Sequence, residues 1–349
     1  MNNALLFLLS LYQLLQQGFV LAQITFGNSP PLTQPSQPQA AVSPYIVNQG
    51  CSCYPGTTCP TGTGGIDIRI VNTGSPCPAG YVYCCTSGGG TNNPYCGVQK
   101  IAPTAHPVGQ APYGAYPWMV VILTTGNSYV GGGVLISPMH VLTVAHKVAG
   151  YVNAAGGIKA RLGDWDVQTQ TEPNPFVDII VSRVTLHPSY NSQNYLQNDI
   201  AVLRLSSAAP ITTAPNINTA CLPNSAVPAG TRCWVSGWGK QAFVGGTNPS
   251  ILKEVDVPVL SQPDCQAALR RTRLGGGFVL DNSFMCAGGE PGKDACTDDG
   301  GSPMVCSNNG PYQVVGLVTW GIGCAGAGVP GVYTNVFNFR AWIDQQLLT

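Results

Sequence analysis

The sequence predicts an all-β protein with a small cysteine-stapled module on its amino-terminal side. Three observations carry that prediction. Short runs rich in Val and Ile (MVVIL, GGVLIS, IIVSRVTL, AVLRL, VVGLVTW and GVYTNV) recur from about Tyr113 onward, punctuated by Gly, Pro, Asn and Ser. The 349 residues include 43 glycines and 29 prolines, which suits many turns and excludes a long helical bundle. Six of the 14 cysteines crowd between Cys51 and Cys85, where so short a unit has little core and needs covalent staples.

In chain order, residues 1–22 read as a signal peptide. An apolar stretch, Ala4–Leu15, is followed by Val20-Leu21-Ala22, with small residues placed for cleavage after Ala22. Gln13, Gln16 and Gln17 interrupt the run and argue against a membrane anchor. The 14 cysteines fit the oxidising compartment that secretion implies. Residues 23–50, rich in Pro, Gln, Ser and Ala and free of charge, read as a flexible tether. Residues 51–85 form the disulfide module; a zinc site is the weaker reading, because the segment has no histidine and its CC pair is unlike CxxC ligand spacing. A second linker, opening with TSGGGTNNP, covers 86–112, and 113–349 form the large β domain. Phe339, Trp342, Ile343 and Leu347 recur near helical spacing, so Phe337–Leu348 reads as a closing helix.

Fifteen basic and 15 acidic residues leave a net charge of zero, which gives no electrostatic case for nucleic acid or an anionic membrane. No apolar run of about 18 residues interrupts the body of the chain, as a spanning helix would require.

Three segments carry the chemistry. TVAHKV places His146 after a strand, NDIAVL places Asp199 before another, and CTDDGGSPMVC holds the turn where a nucleophile would sit. Together with PWMVVIL, GGVLIS, CWVSGWG and VTWGIGC…PGVYTNV, they resemble the chymotrypsin-like serine proteases, with the chain order His, Asp, nucleophile. The resemblance implies a double six-stranded β-barrel with a carboxy-terminal helix. Active members read G-D-S-G-G-P at the turn; the aligned residues here are Asp298, Asp299, Gly300, Gly301, Ser302 and Pro303. Gly300 therefore stands at the nucleophile position and has no side chain. Asp298 stands at the oxyanion position beside Asp299, where a carboxylate opposes the charge of the transition state. Ser302 lies too far along the turn to replace the missing hydroxyl. His146 and Asp199 are then expected as a buried hydrogen-bonded remnant. Asp294, Gly321 and Gly331 match the base and walls of a trypsin-like primary pocket, which either still binds a basic side chain or is inherited without use.

The resemblance also implies disulfides Cys96–Cys221, Cys233–Cys306, Cys265–Cys286 and Cys296–Cys324. One familiar bridge is missing at both ends, with Gly131 and Lys147 in the cysteine positions. The module from Cys51 to Cys85 resembles the clip domain of arthropod serine proteases, which implies Cys51–Cys84, Cys53–Cys77 and Cys59–Cys85. With GGEPGKDAC and DGGSP, the whole resembles clip-domain serine protease homologues of the non-catalytic prophenoloxidase-activating type. The expectation is a catalytically inactive, secreted haemolymph cofactor in prophenoloxidase activation and melanisation. Its partners would be prophenoloxidase or a clip-domain activating protease, and it would form a homo-oligomer after processing. An active trypsin-like endopeptidase and a microbial-surface recognition or adhesion protein are the alternatives.

Processing is expected at Arg69, in a Gly-flanked stretch between clip cysteines, although IDIRIV also reads as an uncut strand. The other basic residue before Lys147 is Lys100, followed by IAPT. No cofactor is expected. Asp164, Asp166 and Glu172 offer calcium ligands where some relatives bind that ion. Arg270, Arg271 and Arg273 read as a polyanion site or, more simply, as a solvated helix face.

Overall fold

The Val- and Ile-rich runs fold as antiparallel strands whose inward faces close two barrels. A computed structural model describes residues 96–239, 249–291, 299–307, 310–323 and 326–349, together with the backbone of Cys51–Pro55 and Tyr81–Cys85. The last two segments are strands β1 and β2, paired with Cys51 opposite Cys85. The side chains of both strands and the rest of the clip segment lie outside the described residues. So do Arg69 and all three expected clip bridges.

The first barrel is built from β3 (Met119–Thr124), β4 (Tyr129–Ser137), β5 (His140–Thr143), β6 (Ile158–Leu162), β7 (Val177–Leu186) and β8 (Ala201–Leu205). It closes in the order β3-β4-β5-β8-β7-β6. The second uses β9 (Arg232–Gly237), β10 (Lys253–Leu260), β11 (Phe284–Gly288), β12 (Pro303–Cys306), β13 (Gln313–Trp320) and β14 (Pro330–Asn335), closing as β10-β11-β14-β13-β12-β9. Closure removes the unpaired edges that open sheets must protect. Ile179, Val181 and Val184 in β7 face the first core, while Ile180 between them is exposed. That alternation is the period-2 signature of a half-buried strand.

Each barrel has its own core, and a third apolar cluster joins them, with Trp118, Leu142 and Ile200 from the first side against Trp238, Leu252 and Leu317 from the second. The cleft that would hold a catalytic triad lies along this seam. Helix α1 (Ala145–Val148) carries His146, and α2 (Gln262–Arg270) is capped by Ser261, whose Oγ accepts the Asp264 N–H at 3.2 Å. At the carboxy terminus a 3-10 turn, Val336–Phe339, precedes α3 (Arg340–Gln346). The α-helix is shorter than the spacing of apolar residues suggested: the 3-10 turn takes Val336–Phe339 and the helix ends at Gln346, with Phe339 and Ile343 buried against the seam.

Disulfides Cys96–Cys221, Cys233–Cys306 and Cys265–Cys286 are formed. Cys296–Cys324 lies outside the described residues. Within 86–112, the stretch from Cys96 runs across the barrels. Gly97 exchanges backbone bonds with Thr219 and Tyr312, and Ala111 N–H donates to Leu252 O at 2.9 Å.

Candidate functional site: a protease cleft without its nucleophile

His146 enters the cleft because β5 ends at Thr143 and the chain turns at once into α1. Asp199 arrives from the loop before β8. In that loop Tyr195, Leu196 and Asn198 all have positive φ, at 50°, 60° and 55°. Such conformations cost of order 1–3 kcal/mol each for ordinary side chains. They are held by Asn198, whose N–H donates to Ser283 Oγ at 3.1 Å and whose Nδ2 donates to Ser189 O at 2.9 Å. The result is a fully buried Asp199 carboxylate that accepts two bonds from one residue. His146 N–H reaches Oδ1 at 2.8 Å, and the ring Nδ1 meets Oδ2 at 2.6 Å. Thr334 Oγ1 in β14 donates to the Asp199 carbonyl at 2.7 Å and ties the pair to the second barrel. Base and orienting carboxylate thus keep the geometry that nucleophilic catalysis needs.

The third member is absent. Gly300 sits opposite His146, where a β-carbon would stand 3.4 Å from His146 Nε2. The turn keeps its shape: Gly301 takes φ +89°, Gly301 N–H donates to Val318 O at 2.8 Å, and Ser302 N–H donates to Asp299 O at 2.8 Å. The Asp299 carboxylate points away from the cleft and accepts the Gly239 N–H at 2.8 Å. Ser302 is buried, and its hydroxyl packs on Gly132, away from His146. No proton-transfer route joins it to the base, as the spacing along the turn predicts. Asp298 and Asp294 lie outside the described residues.

The space left by the missing hydroxyl is not empty. A β-carbon on Gly300 would stand 2.7 Å from Lys147 Cε, and one on Gly131 would stand 3.2 Å from Lys147 Cγ. The stem of Lys147 therefore runs over both glycines. Its own position and Gly131 are those where the resembled proteases carry a cysteine bridge that this sequence lacks.

Of the pocket walls, Gly331 lies in β14 opposite Ala287, and a β-carbon at Gly321 would meet nothing nearer than Gly323 O at 3.6 Å. Beside Gly321, Trp320 makes edge contacts with Phe278 and Phe284, at ring separations of 6.2 and 5.8 Å. Tyr195 stands edge-on to Phe278 at 5.4 Å and is 54% exposed. An open cleft of about 370 Å³ runs between Tyr195 and Val279.

Residues 108–343 match the Trypsin family. The chain is 52% identical over 322 residues to the inactive CLIP domain-containing serine protease A3 of Aedes aegypti, covering 85% of this chain and 67% of that one. It is 47% identical over 257 residues to the phenoloxidase-activating factor 2 of Galleria mellonella, covering 68% of this chain and 82% of the relative. It is also 38% identical over 225 residues to trypsin-3 of Salmo salar, covering 64% and 85%. The chain belongs to the clip-domain serine protease homologues. It is a catalytically inactive serine protease homologue with a chymotrypsin-like fold.

The homologue differs from its sequence-based description at places that only packing reveals. Lys100 is exposed along its stem, yet its ammonium donates to three backbone carbonyls: Ile211, Ala214 at 3.3 Å and Ile217 at 2.7 Å. Desolvation there lowers its pKa. Nothing local in VQKIAPT announces that tether. Lys147 was visible only as a replaced cysteine; the signal that could have found its role is the joint departure of Gly131, Lys147 and Gly300, a large side chain between two small ones.

The loop after β6 is organised by an ion cluster. Arg161 is fully buried and forks onto Asp178 at 2.7 and 2.9 Å, Lys159 reaches the same carboxylate at 2.7 Å, and the Phe176 ring lies 3.9 Å from the guanidinium. Asp164 faces Arg161 at 3.5 Å, and burial pushes its carboxyl up to about 7. Glu172 accepts the Asp166 N–H at 2.9 Å. The described residues contain no group of three or more His, Cys, Asp or Glu side chains placed to hold a metal. Arg270 donates to Phe278 O at 2.7 Å, and Arg271 is exposed at the end of α2. Among the described residues, no helix is long and apolar enough to cross a membrane.

Proposed function

We propose that this protein is a secreted, non-catalytic cofactor in the activation of prophenoloxidase, acting by binding the zymogen or its clip-domain activating protease. The observation that supports this most is the combination in one cleft of an intact His146–Asp199 pair and a nucleophile position without a hydroxyl. A cleft that keeps its architecture and lacks its chemistry is suited to holding a partner rather than cutting it. The relative from Galleria mellonella is named as a phenoloxidase-activating factor, and that name supports the reading. Homo-oligomerisation after processing belongs to the same reading.

Processing is assigned to Arg69. Only Arg69 and Lys100 precede Lys147 as basic residues. A trypsin-like protease must draw the basic side chain into its own pocket, and the Lys100 ammonium is held by three carbonyls. Cleavage at Arg69 would leave the fragments joined by the clip disulfides until reduction. Purified protein should be added to prophenoloxidase with an activating protease, before and after processing. Phenoloxidase activity that appears only in its presence, with a new terminus of Ile70-Val71-Asn72, supports the reading. Hydrolysis of an arginyl amide by the protein alone would overturn it, and Ile101-Ala102-Pro103 would refute the site.

A further inference from the structure

We propose that the vacated nucleophile position is a carboxylate-binding site, built by Lys147 and His146, for an acidic side chain or a chain-terminal carboxylate of a protein ligand. The point where a β-carbon would stand on Gly300 lies 3.4 Å from His146 Nε2 and 3.6 Å from Lys147 Nζ. Lys147 Cε lies 2.7 Å from the same point, so an oxygen entering on the His146 side of it meets Nε2 and draws in the ammonium at the mobile end of the lysine. Among the described residues neither nitrogen has a hydrogen-bond or ion-pair partner; the contacts of His146 all run through its backbone N–H and Nδ1 to Asp199.

The site is held from below. Gly131 and Gly300 have no side chains to displace the lysine stem, whose Cγ and Cβ lie 3.2 and 3.4 Å from a β-carbon position on Gly131. The Gly300 carbonyl accepts the Gly132 N–H at 2.9 Å. The Asp299 carboxylate is engaged by Gly239. The described part of the turn thus offers Lys147 no counter-ion of its own.

The chemistry of the ligand follows from the donors. Lys147 supplies a fixed positive charge, and a neutral amide or hydroxyl would leave it uncompensated. His146 Nδ1 is committed to Asp199, so a ligand meets Nε2; a carboxylate there favours the ring form with N–H on both nitrogens. Where an active protease presents a nucleophilic oxygen, this cleft presents two nitrogens that donate to an anionic oxygen from outside. The inference does not depend on the cascade role proposed above.

The test uses three peptides on the full chain: acetyl-Ala-Glu-Ala-amide, acetyl-Ala-Ala-Ala with a free carboxy terminus, and acetyl-Ala-Gln-Ala-amide. The ring ¹⁵N resonances of the four histidines are followed by NMR during titration. The expected result is that one or both acidic peptides move His146 Nε2 toward the protonated position while the Gln peptide does not. Which acidic peptide binds distinguishes a side-chain from a terminal carboxylate. Lys147→Met keeps the stem and should weaken binding about tenfold or more, whereas Lys147→Arg should retain it. Unchanged thermal midpoints in both variants exclude misfolding as the cause. The proposal is overturned if the Gln peptide moves His146 equally, if neither acidic peptide moves it, or if Lys147→Met binds like the parent.

Discussion

The two walls of the cleft have kept different things. The wall from the first barrel retains His146 and Asp199 with every bond of the pair in place. The wall from the second barrel keeps a tight turn over its described residues, with the positive φ of Gly301, and at Gly300 presents no hydroxyl. The difference follows from what each group does in the folded chain. The buried Asp199 satisfies the backbone N–H of His146, so the fold needs it. A serine at 300 would project into the cleft and support nothing, so only chemistry needs it.

The largest effect to look for is in turnover. Loss of the serine from such a triad removes on the order of 10⁶ in rate. A serine-directed fluorophosphonate should leave the turn from Asp299 to Cys306 unlabelled. Gly300→Ser alone should also stay largely unlabelled, because the sequence keeps an acidic residue, Asp298, at the expected oxyanion position. Stoichiometric labelling of the single variant would show that Asp298 does not oppose the reaction.

The walls should next differ in stability. Asp199→Ala strands the His146 N–H and ring in the seam and should destabilise the protein by about 2–4 kcal/mol in urea unfolding. Gly300→Ala should cost below about 1 kcal/mol, because the atom it meets is the mobile end of a lysine. Equal losses would erase the distinction between the walls.

A third test stays in the first barrel. Asp164 has a folded-state pKa of about 7 against an ordinary 3.8, so the folded chain holds its proton more tightly than the unfolded chain. The stability this contributes is present below about pH 4 and is lost as pH rises through about 7, up to about 4 kcal/mol. Asp164→Asn should remove that fall, seen as the difference between variant and parent across the range. A flat difference would mean that Arg161 keeps the carboxylate ionised. The smallest effect concerns Lys100: Lys100→Met should lower the thermal midpoint by a degree or two, since three carbonyls lose one exposed donor.

Much of this was legible in the chain. MVVIL, IIVSRVTL, AVLRL and VVGLVTW lie within β3, β7, β8 and β13, because β-branched runs bounded by turn residues have few other ways to bury themselves. Strand β10, KEVDVPVL, was harder to see: it carries charge and a proline, and its place is set by pairing with β9. At the site, His146, Asp199 and Gly300 could be read only together, through the resemblance of TVAHKV, NDIAVL and CTDDGGSPMVC to the protease motifs.

What the sequence determined by itself is the absence of chemistry, because nucleophilic catalysis resides in one atom and glycine lacks it. It also determined that the chain would be built from short strands, since many of the Val- and Ile-rich runs are written locally; the double barrel came from the family resemblance. The tertiary structure alone decided where Lys147 and Lys100 point. Lys147 lies along the cleft because Gly131 and Gly300, distant in the chain, both leave room beneath it. Lys100 is tethered because three carbonyls more than a hundred residues away converge on its ammonium. A long flexible side chain has no preferred direction of its own, so its direction belongs to whatever the fold brings beside it.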